Sequence, residues 1–360
     1  MITLRDSRLQ LLVLMLFLTL VGFMFVYSAG SLQAVRLGRS DMYFLFKQLV
    51  SFGIGTMLLM LAYKLPLELY RRLVVLLYFI TMLLLIAVFT QKALNGAHRW
   101  LNLPIFSFQP SELAKFTTIV YLAHYLDKKR ESLNLFKKGF LPASIMIGFL
   151  AALILIEPDF GTTFLIMIVA FTMFLVGGIS KKHIFAVMAF LLPIFLTSLF
   201  FGYRRGRLLM FLDPWADRFG VGYQLVQSLA AVGSGGIIGK GIGNSTQKLF
   251  FLPEAHTDFI YAIVAEEWGF IGAFIIVLAV VMFFRIAIKS ALAHSSRYKK
   301  LLMVGASCLL FYQSIINIMV VLGLLPTKGI TLPFVSYGGS AMIASMFLVG
   351  VLLRGMEELE

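Results

Sequence analysis

Long apolar segments separated by short polar stretches make up most of the chain. About 20 predominantly apolar residues are enough for a helix to cross the hydrocarbon core of a bilayer. The pattern predicts ten such helices, at about residues 9–30, 44–64, 73–90, 110–126, 140–156, 161–178, 184–201, 258–284, 301–322 and 339–355. The predicted fold class is therefore an all-α polytopic membrane protein, with residues 1–360 forming a single transmembrane domain.

Composition supports membrane insertion. Hydrophobic residues make up 60% of the 360 residues and charged residues only 13%, which excludes an ordinary soluble globule. Because apolar segments recur up to the C-terminal end, the first is expected to be a retained span rather than a cleaved signal peptide. The single cysteine, Cys308, rules out an intrachain disulfide and a cysteine-based metal cluster. Redox chemistry is not expected.

The basic residues predict the orientation. The formal net charge is +14, and Lys and Arg gather in alternate connections between the spans, as the positive-inside rule and anionic lipids require. This distribution argues against nucleic-acid binding. The side rich in Lys and Arg is predicted to be cytoplasmic and to carry both termini. The opposite side holds residues 92–109, 157–159, 202–257 and 323–338 and is predicted to face outward.

Residues 202–257 are predicted to form a large extracytoplasmic loop between the seventh and eighth spans. Connections of this length usually carry function. The segment begins with three arginines, continues through a helical stretch at 223–232 and ends in a run of glycines. The glycine spacing matches neither a dinucleotide motif nor a P-loop, so it does not predict a nucleotide site. No organic cofactor is expected. The glycines suit either tight turns with close backbone approach to a ligand or neighbouring helix, or a flexible surface loop.

Two groups of ionisable residues lie near the predicted outer ends of spans. Glu112 and Lys115 are three residues apart and share a helix face, so they can pair, in either a structural or a functional role. Glu157 and Asp159 flank Pro158, which is expected to break the helix. They can receive Lys115, a basic substrate group or a divalent cation such as Mg²⁺ or Mn²⁺, or they can serve only as helix-end caps.

Asp258 lies where a polar loop enters a long apolar helix. A carboxylate in such partly dry surroundings can have a shifted pKa and act as a general base. The alternative is a simple N-cap for the following helix. Glu254 and His256 lie close by and influence its charge state. Two turns into the helix, at least one of Glu266 and Glu267 is expected to face the protein interior.

Four blocks of sequence, in order, resemble the SEDS family (shape, elongation, division and sporulation), which are polytopic peptidoglycan glycosyltransferases. The blocks are residues 95–100 with 108–115, residues 157–162, residues 243–259 and residues 323–340. Residues 243–245, 253–258 and 325–329 look more like the division members than the elongation members. The resemblance covers essentially the whole chain.

The resemblance implies a substrate and a mechanism. The substrate is lipid II, a disaccharide-pentapeptide on undecaprenyl pyrophosphate, which is polymerised on the outer face of the bacterial cytoplasmic membrane with inversion at the anomeric carbon. Asp258 would be the base for the acceptor hydroxyl. The other substrate-binding candidates are Glu112, Lys115, Arg204, Arg205, Arg207, Lys248, Glu254, His256 and Ser336. Basic residues or a divalent cation would neutralise the leaving pyrophosphate.

The resemblance also implies partners. A class B penicillin-binding protein would supply the transpeptidase, divisome regulators would contact the complex, and membrane lipid would surround it at the division septum. A lateral groove between helices is expected for the prenyl tail. Ser336 has an alternative role in a tight turn before the last helix. The rival functions are a lipid II flippase, an inert scaffold and an elongation-type polymerase.

Overall fold

A computed structural model describes residues 4–91, 99–102, 107–187, 189, 206 and 211–359, which are mostly helical. The helices are α1 (Leu4–Arg36), α2 (Tyr43–Lys64), α3 (Leu67–Arg72), α4 (Val74–Val88), α5 (Pro110–Lys128), α6 (Leu141–Ile156), α7 (Phe160–Val176), α8 (Tyr223–Gly235), α9 (Ile260–Ala293), α10 (Arg297–Val321) and α11 (Gly339–Glu357). Two short antiparallel strands, β1 (Leu101–Asn102) and β2 (Ser107–Phe108), precede α5. A 3₁₀ turn (Arg130–Ser132) and a π turn (Phe136–Phe140) connect α5 to α6.

The chain is an integral membrane protein. In the described part, six helices are long and apolar enough to cross a bilayer, namely Asp6–Arg36, Tyr43–Lys64, Phe136–Ile156, Ile260–Ala293, Arg297–Val321 and Gly339–Glu357. α4 and α7 are apolar but shorter. The predicted span at 110–126 is α5, whose charged residues lower its hydropathy. The predicted span at 184–201 falls almost wholly outside the described residues, so the total of ten helices stays a prediction.

α10 lies at the centre of the bundle. It packs against α5, α7 and α9, while α2 packs along α11. Small residues allow these close contacts: a Cβ atom at Gly350 of α11 would overlap the backbone of Leu59 in α2. α2 and α11 thus approach each other closely, and the space that remains between α2, α5 and α11 contributes to the cavities described below.

α9 contains a break at Gly269, where φ is 66° and ψ is −166°. At the break, backbone groups of α9 lose their partners within the helix, and the segment after α8 provides new partners for them. The four bonds are Phe270 N–H to Gly236 O (2.9 Å), Ile271 N–H to Ile237 O (3.2 Å), Lys240 N–H to Glu266 O (3.0 Å) and Gly241 N–H to Glu267 O (3.0 Å). A Cβ at Gly239 or Gly269 would overlap the facing backbone. Of the two roles predicted for the glycine run, close approach to a neighbouring helix is confirmed here.

Candidate active site

A cavity of about 1290 Å³ opens between α2, α5, α7, α10 and α11, at the end of the bundle that carries the Asp258 loop. This volume is above the range of ordinary small-molecule pockets, so the cavity suits a large ligand. Its charged and amide-bearing lining residues are Lys47, Arg99, Gln109, Glu112, Lys115, Gln224, Glu254, Asp258 and Gln313. Both signs of charge therefore line one space.

A second cavity of about 460 Å³ adjoins the first and is almost entirely apolar. Side chains of α2, α4, α5 and α11 line most of it, including Leu58, Leu77 and Phe347, and Tyr70 of α3 and Leu309 of α10 also contribute to the wall. Glu112 and Lys115 line both cavities and mark the border between them. A charged chamber beside an apolar chamber fits an amphiphilic ligand with a polar head and a hydrocarbon tail.

Asp258 lies in the wall of the larger cavity. α9 begins at Ile260, and the Asp258 side chain caps none of its N–H groups, so the N-cap interpretation is wrong. The Asp258 carbonyl oxygen accepts a 2.7 Å hydrogen bond from Asn317 Nδ2, which fixes the backbone. Its carboxylate faces Gly329, where a Cβ atom would lie 3.2 Å from Oδ2. Within the described part of the chain, no donor bonds to this carboxylate, which leaves it available to a ligand.

The surroundings raise the pKa of Asp258 to about 7. Burial is the largest cause, since it disfavours the charged form. The nearby carboxylates of Glu254 and Asp159 act in the same direction, and Arg99 opposes them. A general base is most effective when its pKa lies near the working pH, so the structure gives Asp258 the properties of a base near neutrality.

Glu112 and Lys115 form the predicted ion pair. Lys115 Nζ lies 2.7 Å from Glu112 Oε2, and both side chains are buried. The same ammonium donates to Gln313 Oε1 at 2.9 Å, and Gln313 Nε2 donates to Thr331 O at 3.2 Å. This chain of bonds links α5 to α10 and to the loop before α11. Lys115 therefore pairs with Glu112 rather than with the carboxylates at the α6–α7 break.

Asp159 caps α7. Its Oδ1 accepts from Thr162 N–H at 3.1 Å and its Oδ2 from the Thr162 hydroxyl at 2.9 Å, so the capping role considered for this residue is confirmed. Glu157 is fully buried, and burial raises its pKa to about 8. In the described residues, neither Glu157 oxygen has a hydrogen-bond partner. Arg99, which lines the cavity, donates to the backbone oxygens of Glu157 and Pro158 and so binds the connection between α6 and α7.

The Mg²⁺ or Mn²⁺ site at Glu157 and Asp159 stays a prediction. No group of three His, Cys, Asp or Glu side chains suited to a metal ion occurs among the residues that the structure describes. Hard divalent cations favour several oxygen ligands. Asp159 is engaged in capping α7, and burial, which raises the pKa of Glu157 to about 8, disfavours the charged form of that carboxyl.

Two further substrate-binding candidates, Glu254 and His256, lie on the Asp258 loop, and their surroundings differ. Glu254 lines the cavity and accepts from the Thr257 hydroxyl at 2.9 Å. His256 is buried between the rings of Phe44 and Tyr337, at centroid distances of 4.5 and 5.5 Å, and burial lowers its pKa. It does not line the cavity.

Ser336 supports the Asp258 loop from behind the cavity wall. Its hydroxyl donates to Thr257 O at 2.6 Å and accepts from Leu332 N–H at 2.8 Å. The turn role predicted for Ser336 is confirmed. Gln48 of α2 fixes the same turn by donating to Ser336 O at 3.0 Å.

Lys248 is not brought to the cavity. Its ammonium donates to Glu267 Oε1 and to the Ser28 hydroxyl, each at 3.0 Å, and its side chain is only 9% exposed. Lys248 is therefore not positioned to neutralise a pyrophosphate bound in this cavity. Arg204, Arg205 and Arg207 lie outside the described residues.

Lys47 and Arg99 line the cavity, and neither was predicted as a site residue from the sequence. Lys47 lies in α2, with its ammonium 4.5 Å from the Tyr43 ring centroid. The sequence held a signal for it, because a charge inside a predicted span is costly and usually functional. Arg99 lies in the first block that resembles the SEDS family, residues 95–100, but its position relative to other charged residues gave no separate signal of a role in the site.

Two buried carboxylates hold the loop that leads to Asp258. Both Glu266 and Glu267 face the interior, which confirms the expectation for at least one of them. Donors to Glu266 are Lys240 Nζ, Ser234 and Ser245 Oγ, Thr246 N–H and Oγ1, and Gln247 N–H. Donors to Glu267 are Ser28 Oγ, Gly243 N–H, Ser245 N–H and Lys248 Nζ. These bonds fix residues 240–248 against α9.

Comparison with known proteins gives consistent results over nearly the whole chain. The "probable peptidoglycan glycosyltransferase FtsW" of Geobacter metallireducens is 39% identical over 350 residues, covering 96% of this chain and 93% of that protein. The protein with the same description from Coxiella burnetii is 39% identical over 348 residues, covering 94% and 93%.

Solved structures share the fold. A chain of a peptidoglycan synthase complex, studied for its coordination of polymerization and crosslinking, superposes with a TM-score of 0.80 at 27% identity, covering 97% of both chains. The rod shape determining protein RodA of Thermus thermophilus gives 0.72 at 26% identity, covering 97% and 96%. The family described as cell cycle protein FtsW/RodA/SpoVE matches residues 8–359. The chain belongs to this family.

Proposed function

We propose that the protein is a peptidoglycan glycosyltransferase that polymerises lipid II on the outer face of the bacterial cytoplasmic membrane. The observation that carries this proposal is the Asp258 carboxylate, which has a pKa near neutrality and no donor in the described structure, in a polar cavity that adjoins an apolar one. The relatives named FtsW support the transferase activity and favour the division role over the elongation role.

The reaction is a single displacement at the anomeric carbon of the donor sugar. Asp258 takes the proton from the acceptor 4-hydroxyl while the hydroxyl oxygen forms a bond to C1. The bond from C1 to the pyrophosphate oxygen breaks, and the electron pair leaves with the pyrophosphate. Because attack occurs opposite to the leaving group, the α-linked donor becomes a β-linked product. The logic is that of an inverting glycosidase, with a sugar hydroxyl in place of water.

The pyrophosphate needs charge neutralisation rather than a proton. Lys47 and Arg99 are the cations of the cavity that no carboxylate neutralises within the described structure, whereas Lys115 is paired with Glu112. We assign Lys47 and Arg99 to the leaving group, where fixed positive charge stabilises the developing negative charge. The adjoining apolar cavity between α2, α4, α5 and α11 accommodates the first part of the prenyl chain, and the rest remains in lipid.

A partner must supply cross-linking, since the proposed reaction yields only glycan strands. The similar chain from the complex named for polymerization and crosslinking supports a class B penicillin-binding protein as that partner. Divisome regulators at the septum would contact the same assembly. The orientation, with both termini in the cytoplasm, follows from the distribution of Lys and Arg.

The ion pair in the cavity wall gives one prediction. Glu112→Ala and Lys115→Ala are each expected to reduce the polymerisation rate, because each leaves a buried charge without its partner. The double variant is expected to be no slower than the worse single variant, since the two residues act as a unit. Rates are measured with purified variants at saturating lipid II. Additive losses in the double variant would show that the two residues act separately.

The buried Glu157 carboxyl gives another prediction. Glu157→Gln is expected to keep the polymerisation rate and its dependence on Mg²⁺ or Mn²⁺ close to wild type at pH 7, because burial raises the pKa of this carboxyl to about 8 and favours its neutral form, which glutamine resembles. Asp127→Asn, near the C-terminal end of α5 and away from the cavity, is the matched control. A large rise in the metal concentration needed by Glu157→Gln alone would establish Glu157 as a cation ligand.

The function itself is tested with purified protein and fluorescent lipid II. Wild type is expected to form long glycan strands that a muramidase degrades, and the strands should appear in detergent, where no membrane separates two compartments. A flippase would instead move lipid II between the leaflets of proteoliposomes and form no strands in detergent. An inert scaffold would do neither. Absence of strands with the partner transpeptidase also present would contradict the proposal.

A further inference from the structure

The segment that fills the break of α9 ends in an exposed apolar tip, defined here as residues 236–243. The side chains of Ile237, Ile238 and Ile242 are 69%, 81% and 58% exposed. The only charged residue of the tip is Lys240, whose side chain is 31% exposed but whose ammonium lies 2.6 Å from the buried Glu266 carboxylate. The tip thus presents three exposed isoleucines, and its one charge is paired with a carboxylate of the protein.

The position of the tip along α9 fixes its height relative to the membrane. Its backbone bonds to Phe270 and Ile271, so Ile237 lies level with these two residues. Arg285 is the next charged residue of α9, fifteen positions after Phe270, or about 22 Å at the rise of an α-helix. The hydrocarbon core is about 30 Å thick. With Arg285 at the cytoplasmic boundary, the tip lies below the outer boundary of the core, and any tilt of α9 places it deeper.

The α9 surface around the tip is exposed and apolar. Residues 260–269 are almost all buried in the protein, whereas Phe270, Ile271, Phe274 and Ile275 are exposed. Ile237 and Ile238 continue this exposed apolar surface. Large contiguous apolar patches mark interaction sites with membrane or protein, and at this height acyl chains are the available partner.

Where the tip packs against α8 and α9, protein groups satisfy its backbone. Non-helical backbone at membrane depth is tolerated only where its polar groups are satisfied by protein. The N–H groups of Gly239, Lys240 and Gly241 donate to carbonyl oxygens of α8 and α9, and the Gly236 and Ile237 carbonyls accept from α9. We propose that residues 236–243 are inserted in the outer leaflet, with Ile237, Ile238 and Ile242 in contact with lipid acyl chains.

This insertion would link the bilayer to the loop that bears Asp258. Gly243, at the end of the tip, donates to Glu267, and the same carboxylate holds Lys248, ten residues before Asp258. The end of the tip and Lys248 are therefore held by the same carboxylate of α9. The membrane contact does not depend on the reaction proposed above.

Collision experiments with a spin label test the proposal. The native Cys308 is buried and is replaced by alanine, and a nitroxide is attached at Ile238→Cys in full-length protein in lipid nanodiscs. Phe274→Cys on the lipid-facing side of α9 and Arg39→Cys in the polar α1–α2 connection are the matched controls. Each variant must elute as a single species.

The label at Ile238 is expected to collide more with oxygen than with a water-soluble nickel chelate, as at Phe274. Collisions mainly with the nickel chelate, as at Arg39, would overturn the proposal, and so would protection from both reagents, which would indicate a covering protein surface. A second measurement uses Ile238→Trp in vesicles of brominated phosphatidylcholine, after subtraction of the three native tryptophans. Strong quenching supports insertion, and quenching no greater than in wild type contradicts it.

Discussion

Replacement of Asp258 by asparagine is expected to lower the polymerisation rate by about 10²- to 10⁴-fold, the range usual for loss of a general base. Asparagine has nearly the shape of aspartate but cannot take a proton from the acceptor hydroxyl. The Asp258 backbone is held by Asn317, and its carboxylate receives no hydrogen bond from the described residues. The substitution should therefore remove the base while leaving the cavity wall intact. Initial rates with purified protein and labelled lipid II measure the effect.

Two controls separate chemistry from folding. Asp41→Asn changes an exposed carboxylate in the α1–α2 connection that does not line the cavity, and it is expected to retain the wild-type rate. Asp258→Asn is expected to bind lipid II with nearly wild-type affinity, because binding rests on the pyrophosphate and the prenyl chain. Retention of most of the wild-type rate by Asp258→Asn would reject this residue as the base.

Replacement of Glu267 by alanine is expected to destabilise the protein by about 3–5 kcal/mol, the usual result of removing one partner from a buried ion pair. Glu267 is fully buried, and Lys248 Nζ lies 3.0 Å from its Oε1. The substitution also removes the acceptor for the Gly243 and Ser245 N–H groups. The loop leading to Asp258 should loosen, so the polymerisation rate should fall together with stability. Unfolding by SDS in mixed micelles measures the free energy.

Glu68→Ala is the matched control for Glu267→Ala. Glu68 pairs with Arg71 at 3.8 Å in a partly exposed site, and Arg71 keeps a second partner, Asp127, at 3.0 Å. Such exposed pairs contribute about 0–1 kcal/mol. Equal losses of unfolding free energy in the two variants would show that burial of the Lys248–Glu267 pair has no special importance.

The hydrophobic pattern located most helices but not their full lengths. The span predicted at 9–30 is α1, Leu4–Arg36, and the span predicted at 258–284 is α9, Ile260–Ala293. Hydropathy reports only the part of a helix that lies in hydrocarbon, whereas backbone hydrogen bonds continue the helix into polar residues. The break at Gly269 was not predictable from α9 alone, because the groups that satisfy it come from residues 236–241.

The candidate site was predicted where local spacing determines the contact. Glu112 and Lys115 are neighbours on one helix face, and their pair follows from that spacing alone. Lys248 was predicted to meet the substrate, but its partner, Glu267, lies on α9 and comes near only in the fold. Lys47 and Asp258 likewise reach the same cavity from distant parts of the chain. Contacts between separate elements depend on packing, which the pattern of a single segment does not encode.

The pH dependence of glycan polymerisation tests the central claim, that Asp258 is the base, most directly. Asp258 accepts a proton only when ionised, so the rate should rise with pH through an acid limb near its pKa of about 7. Glu254→Gln removes a neighbouring negative charge that raises this pKa, and the limb should therefore move to lower pH. A rate that does not change with pH across neutrality, in both wild type and Glu254→Gln, would contradict the account.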